Sequence, residues 1–315
     1  MILSIGKYIG DTKITMDEKI AKFGGERFLK EITGFDSIYV ESKKTQIEMA
    51  KCAIQDCLSK RPEVSIDEIG LLIFTANTLS KLSPTVAITL VHELGMRSEN
   101  MLAFDLNCNC GGALVAMHTA QSIMQQNPGQ TKYAMVVACD KFDFIRRDDV
   151  LVTHTYGDSA SAVLLDQTLF KRYAFVQGNN TKYLKELQIP RDNFANCNGD
   201  IRLYADGNPS IEEVSNVVIP QFQKIREEQD INIDEVSTFC FTQGGKKMLG
   251  TIAEALNIPM DKIPFVGKVY GYLGVSCPII ALEDAISRGK LKRNDLVWMW
   301  SLGAGISSSM MVFEY

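Results

Sequence analysis

Phe104-Asp105-Leu106-Asn107-Cys108-Asn109-Cys110-Gly111-Gly112, running into Ala113-Leu114-Val115-Ala116-Met117-His118, is the stretch on which the reading of this chain turns. Met101 to Phe104 reads as a short buried strand, and the residues after Cys110 as a helix with two glycines in its first turn. A cysteine at such a strand-to-helix turn faces unpaired backbone N–H groups and the positive end of the helix dipole. Both favour a thiolate over a thiol. Small residues directly after it let an acyl group approach the backbone. One reading of Cys110 is a nucleophile that takes up an acyl group; the other is a small core hydrophobe, as most free cysteines are. The local context leaves both open.

The 315 residues are 46% hydrophobic and carry a formal net charge of −5, enough for one large domain or two closely packed halves. Mild acidity without a clustered basic face argues against a nucleic-acid partner. No apolar run approaches the roughly 18 residues that span a bilayer, so no membrane association is expected. Met1-Ile2-Leu3-Ser4-Ile5-Gly6-Lys7 lacks the layout of a signal peptide, and a cytoplasmic protein is expected. The eight cysteines are scattered through apolar segments, as reduced thiols are. Cys108 and Cys110 form the one close pair, with no further ligand at short spacing, so no metal site is expected.

Residues 2–9 suit an opening strand, and Thr45-Gln46-Ile47-Glu48 is a capping box ahead of a helix with Ile47, Ala50, Ile54, Cys57 and Leu58 on one face. Ser65 to Thr75 is a turn feeding a buried strand, Pro84 to Leu94 a helix, about 110–126 a buried helix, and Ala134 to Ala138 a strand. The second half repeats this plan. Ser210-Ile211-Glu212-Glu213 caps a helix expected to kink near Pro220. Asn232-Ile233-Asp234-Glu235 to Thr242 then matches Ser65-Ile66-Asp67-Glu68 to Thr75 at an offset of 232 − 65 = 167 residues. Gly274 to Ile286 reads as a second central helix and Leu296 to Trp300 as a second buried strand. Gly303 to Val312 echoes Gly157 to Leu165. The pattern implies an internal duplication, with halves 1–168 and 169–315 layered around two buried helices. Long loops are expected around 142–156 and 179–208.

Asp-Leu-x-x-x-Cys-x-Gly before a buried helix in a duplicated α/β chain resembles the thiolase superfamily, and within it the 3-oxoacyl-acyl-carrier-protein synthase III family. Thr33-Gly34-Phe35, Tyr156-Gly157-Asp158-Ser159-Ala160-Ser161-Ala162-Val163 and Leu302-Gly303-Ala304-Gly305 carry the resemblance across nearly the full chain. The family cysteine lies five residues beyond the aspartate, which places it on Cys110 and not Cys108. The resemblance implies a five-layered α-β-α-β-α fold, usually a dimer. It implies acylation of the cysteine by acyl-CoA or acyl-carrier protein, then carbon–carbon bond formation with a malonyl thioester. It places the oxyanion on the N–H groups of Cys110 and Ala304, in the Gly303–Gly305 loop. No tightly bound cofactor is implied, the acyl thioester being substrate.

Two departures qualify this. The family's catalytic histidine opens a His-Gln-Ala-Asn run that here reads Thr242-Gln243-Gly244-Gly245, and its catalytic asparagine falls on Tyr272, after Tyr270-Gly271. Threonine cannot be protonated to polarise a thioester, and tyrosine offers a bulky phenol. The tryptophan and arginine that sandwich the CoA adenine fall on Phe28 and Ile32, keeping a stacking surface and losing the charge. Of three histidines, His92 reads as a surface residue. His118 lies two turns beyond Cys110, roughly 12 Å by helical rise, and reads as a satisfied buried histidine. His154, approaching Gly157-Asp158, is the one candidate replacement base. Asp158 reads as a turn brace.

The expected function is therefore that of an acyltransferase or ketosynthase-III-like subunit of a heteromeric acyl-transfer complex in specialised metabolism. Its acyl group rides on Cys110 and passes to a small-molecule acceptor by C-acylation or ketide formation. Expected partners are a second copy or a thiolase- or ketosynthase-like subunit, and an acyl carrier protein. The alternative is a non-catalytic structural subunit supporting an active partner of that type.

Overall fold

The computed structural model describes residues 1–97, 99–126, 129, 131–143, 151–184, 187–188, 204–205 and 211–315. Its first sheet is built from β1 (Ile2–Ile9), β4 (Ile69–Thr75), β5 (Leu102–Leu106), β6 (Tyr133–Asp140) and β7 (Ser159–Asp166), in the order β1-β7-β6-β4-β5. A second sheet runs β11 (Val236–Phe241), β12 (Leu296–Gly303), β13 (Ser307–Glu314) and β8 (Ala174–Asn179). Two small ribbons, β2 (Thr12–Thr15) with β3 (Ser37–Val40) and β9 (Leu187–Gln188) with β10 (Tyr204–Ala205), lie outside these sheets.

The two sheets share one wiring. β4 and β6 are parallel, β6 and β7 antiparallel, and β7 and β1 antiparallel. β11 and β12, β12 and β13, and β13 and β8 repeat those senses in that order. The matched segments sit at the start of equivalent strands. Ser65 caps the 3-10 turn Ile66–Glu68 ahead of β4, and Asn232 caps Ile233–Glu235 ahead of β11. In each, the cap residue's own N–H donates back to the side chain of the glutamate three residues on. Both halves thus start their central strand with the same device.

The apolar runs fill both faces of each sheet. Leu71 and Ile73 of β4 point into a central core, while Leu72 and Phe74 point the other way. β12 behaves alike, Val297 and Met299 facing the centre and Trp298 and Trp300 the opposite layer. The central core holds α4 (Gly112–Gln126) and α8 (Cys277–Ser287), packed through Leu114, Met117, Ile279 and Leu282. α2 (Gln46–Ser59), opened by the Thr45–Glu48 capping box, and α3 (Val86–Glu93) cover the first sheet. α5 (Ile211–Glu228), continuous through Pro220, and α6 (Lys246–Ala255) cover the second. The layers run α-β-α-β-α. α1 (Met16–Phe23), a wide π-type turn at Arg27–Ile32 and the short α7 (Gly267–Tyr270) stand beside them.

Two expectations change. The strand before the cysteine is not buried: β5 is the outermost strand of its sheet, and Leu102 is 48% exposed. An apolar run fixes a strand but not its place in the strand order. The helix starts at Gly112 and not at Cys110, which leaves the cysteine in the turn. The Ser210 cap and most of the loops around 142–156 and 179–208 lie outside the described residues.

Both glycines at that turn are required by close approach. A Cβ on Gly112 would stand 2.0 Å from Thr75 Oγ1, and one on Gly111 2.7 Å from Ser309 Oγ. Thr75 is fully buried at the end of β4 and cannot give way. Gly112→Ala is expected to lower stability by about 1–3 kcal/mol, read from denaturant melts. The Gly112→Ala/Thr75→Ala pair is expected to recover part of that loss, since the hydroxyl in the way is gone.

Candidate active site

Cys110 is placed by contacts from both halves of the chain. Asn109 before it has φ 51°, a left-handed conformation that asparagine tolerates better than most residues. That turn is stapled by Asn109 N donating to Asn107 Oδ1 (3.1 Å) and Asn109 Nδ2 donating to the Ala304 carbonyl (3.4 Å). Ser301 Oγ, on β12, donates to the Cys110 carbonyl at 2.6 Å. Gly303 lies so close that a Cβ there would be 3.2 Å from Cys110 N and 2.7 Å from Asn109 Cβ. The loop Gly303–Gly305 therefore rests on the cysteine's own peptide group, with Gly305 at φ 73° turning the chain back into β13.

Among the described residues, the side chain bonded to Cys110 Sγ is Asn77, its Nδ2 3.4 Å and its Oδ1 3.7 Å from the sulfur, with the Tyr272 hydroxyl close by. Burial pushes the Cys110 thiol up to about 11, the Asp140 carboxylate adding in the same direction and the Tyr272 hydroxyl and Asn77 amide opposing it. Burial of the charged form therefore opposes the thiolate that the helix N-terminus is expected to favour, and the helix begins two residues beyond the sulfur. Burial likewise raises Tyr272 well above a free phenol, so it is a protonated donor.

Asp140 ends β6 and is fully buried. Its Oδ1 accepts from Asn77 N (2.7 Å), Thr78 N (3.1 Å) and Thr78 Oγ1 (3.0 Å). Its Oδ2 accepts from Asn77 Nδ2 (2.8 Å) and from Val275 N (3.0 Å), in the 3-10 turn Gly274–Ser276 that leads into α8. Burial raises its pKa, and these bonds pull the other way. Gly274, at φ 56°, permits the approach, because a Cβ there would stand 2.1 Å from Asp140 Oδ2. Tyr272 stacks obliquely on Tyr156 (5.2 Å between ring centres), which packs on Phe142 (4.9 Å), forming an aromatic wall.

Thr242 directly follows β11, its N–H bonded to the Trp300 carbonyl (2.8 Å), one residue before Ser301. It is buried, and its hydroxyl has no hydrogen-bond partner among the described residues. Phe28 lies half-buried in the Arg27–Ile32 turn against the cluster of Met16, Leu29, Phe35 and Ile38. His154 is buried and lies face to face with Phe23 at 4.1 Å. His118 is half-buried, stacked on Phe175 at 4.3 Å with Nδ1 2.6 Å from the Tyr173 hydroxyl, and burial keeps it neutral. His92 is exposed. Asp158 braces turns, accepting from Glu41 N (2.8 Å) and Phe142 N (2.7 Å).

Sequence reading missed Asn77, Asp140 and Ser301. All three lie at or near the carboxyl ends of their strands, Asn77 and Asp140 at the adjacent β4 and β6 of the first sheet and Ser301 on β12 of the second, where open α/β sheets collect their sites. Polar residues closing apolar strands were the available signal.

No cluster of three or more metal-ligating side chains occurs among the described residues, and no helix among them is long and apolar enough to cross a membrane. A family model described as 3-oxoacyl-[acyl-carrier-protein (ACP)] synthase III matches residues 104–179, and that family's C-terminal model matches 227–315. The two together take in more than half of the chain. The beta-ketoacyl-[acyl-carrier-protein] synthase III of Aquifex aeolicus is 27% identical, over 100% of this chain and 99% of its own length. That of Clostridium novyi is 24% identical over 100% and 98%. Among solved structures, beta-ketoacyl-[acyl carrier protein] synthase III from Thermus thermophilus superposes with a TM-score of 0.89 at 21% identity, covering 100% of this chain and 98% of that one. Xanthomonas campestris OleA superposes at 0.86 and 18% identity, covering 100% and 96%.

With the thiol held up to about 11, the rate of Cys110 alkylation by iodoacetamide is expected to climb about tenfold per pH unit from pH 7 to 10. Peptide mass mapping isolates this cysteine from the other seven. A plateau reached by pH 8 would contradict the half-buried, protonated site.

Proposed function

The chain belongs to the 3-oxoacyl-[acyl-carrier-protein] synthase III family of the thiolase superfamily, a family of acyl-transferring condensing enzymes, and from that premise we propose that it carries an acyl group on Cys110 and passes it on without decarboxylation. The observation that carries this reading is the sulfur's own setting. Cys110 keeps an amide donor on its sulfur from Asn77, a serine on its carbonyl and a glycine loop against its N–H. The groups that would stabilise an enolate after loss of carbon dioxide are replaced by Thr242 and Tyr272.

In this reading acyl-CoA or an acyl carrier protein delivers the acyl group. The oxyanion formed during attack rests on the N–H groups of Cys110 and Ala304, and Phe28 offers a stacking face to the donor. The proposed halves, 1–168 and 169–315, supply the cysteine and the glycine loop respectively. Tyr272, a protonated phenol against the sulfur, cannot act as the base that a histidine would be. A partner subunit of thiolase or ketosynthase type would supply the missing proton transfer, in a heteromeric complex of specialised metabolism acting on a small-molecule acceptor. His154 remains the candidate base within the chain itself.

The depressed acidity of Cys110 also favours a second reading, a non-catalytic subunit that supports an active partner. Reconstitution separates the two. Full activity of the complex with Cys110→Ala belongs to the second reading, and a loss of at least a hundredfold to the first.

For the isolated chain, malonyl-thioester is expected to yield no carbon dioxide above the uncatalysed background, measured by trapping of labelled gas. The double variant Thr242→His/Tyr272→Asn is expected to raise that release at least tenfold. Rapid release by the unsubstituted chain would overturn the non-decarboxylating assignment.

A further inference from the structure

The amide of Asn77 has two N–H bonds, and the structure gives each a different acceptor. One meets Asp140 Oδ2 at 2.8 Å and the other Cys110 Sγ at 3.4 Å. Asp140 also accepts from the backbone N–H of Asn77 at 2.7 Å, so the residue is pinned at its main chain and at its side chain. A carboxylate can only accept, which forces the NH2 face of the amide, not its oxygen, toward Asp140. The second N–H is left aimed at the sulfur, with the amide oxygen 3.7 Å from it. A thiol can donate to that oxygen; a thiolate can only accept from the N–H. The same side chain therefore serves both protonation states.

We propose that Asn77 is a catalytic residue of the Cys110 site, donating to the sulfur as it becomes anionic, and that Asp140 is the positioning residue that holds its amide in that orientation. The proposal deepens the reading of Cys110 as the acyl-carrying thiol and rests on it. In the step concerned, Cys110 sulfur forms a bond to the carbonyl carbon of an acyl thioester. The bond from that carbon to the donor's sulfur breaks, and the Cys110 proton ends on the departing thiolate. No electrons are gained or lost overall. Negative charge passes through Cys110 sulfur in a pocket where burial and the neighbouring Asp140 carboxylate both oppose it. Asn77 stands between that carboxylate and the sulfur, and presents a donor to each. The arrangement comes from the first half of the chain, β4 and β6, whereas Thr242 and Tyr272 come from the second.

The test uses the full chain with Asn77→Ala and the near-isosteric Asn77→Leu, both of which keep the backbone bond to Asp140. The readout is the pH profile of Cys110 alkylation by iodoacetamide, which needs no acyl donor. Both variants are expected to shift the profile to higher pH, alkylating about tenfold more slowly at pH 8 while melting cooperatively. A profile within twofold of the unsubstituted protein overturns the proposal, and so does loss of the cooperative melt in both variants, which would make Asn77 a structural tie only. If acyl-CoA leaves no adduct on the unsubstituted chain yet the alkylation profile shifts as stated, the acyl-carrier reading fails and the Asn77 contact to sulfur stands.

Discussion

Asp140 is a carboxylate with no exposed surface and five hydrogen-bond donors, and the site is arranged around keeping it satisfied. A buried charge without partners costs several kcal/mol, and the five donors together offset that cost. Three donors are backbone N–H groups, two from the segment after β4 and one from the turn into α8. Asp140 therefore joins the two halves at the point where Cys110 sits between them. Gly274 at a positive φ is the sequence's accommodation of that approach. The Ser301 bond to the Cys110 carbonyl and the Gly303 contact with its N–H make a second bridge between halves.

The duplication was legible because its signals are local. Two capped 3-10 turns, each feeding a solid apolar strand, recur half a chain apart, and the two sheets follow them strand for strand. The first buried helix was readable from the apolar residues at its start, Ala113 to Met117. What local pattern could not give was strand order, so the apolar run 101–104 suggested a buried strand and proved to be an edge. Cys110 was found from its turn and from the resemblance. Asn77 was not, because its role depends on β4 lying beside β6 with Asp140 at the end of it. The rise in the Cys110 pKa was not legible either: a helix terminus is visible in sequence, whereas the burial that raises the thiol depends on how distant segments pack around it.

The site's chemistry follows from these constraints. The attacking sulfur sits among uncharged donors, an amide and a phenol, with one carboxylate behind them. Such a setting can stabilise a transient thiolate and an oxyanion. Among the described residues, no side chain bonded to the sulfur both takes and returns a proton near neutral pH. On the proposed reading the site loads an acyl group without decarboxylating, and proton transfer falls to a partner or to the acceptor.

Intact-protein mass after incubation with acyl-CoA and with acyl-carrier donors tests the central claim most directly, because it asks whether Cys110 takes up an acyl group at all. The account predicts a gain of one acyl mass that maps to Cys110 and vanishes in Cys110→Ala. No gain with any donor, or a gain that survives Cys110→Ala, would contradict it.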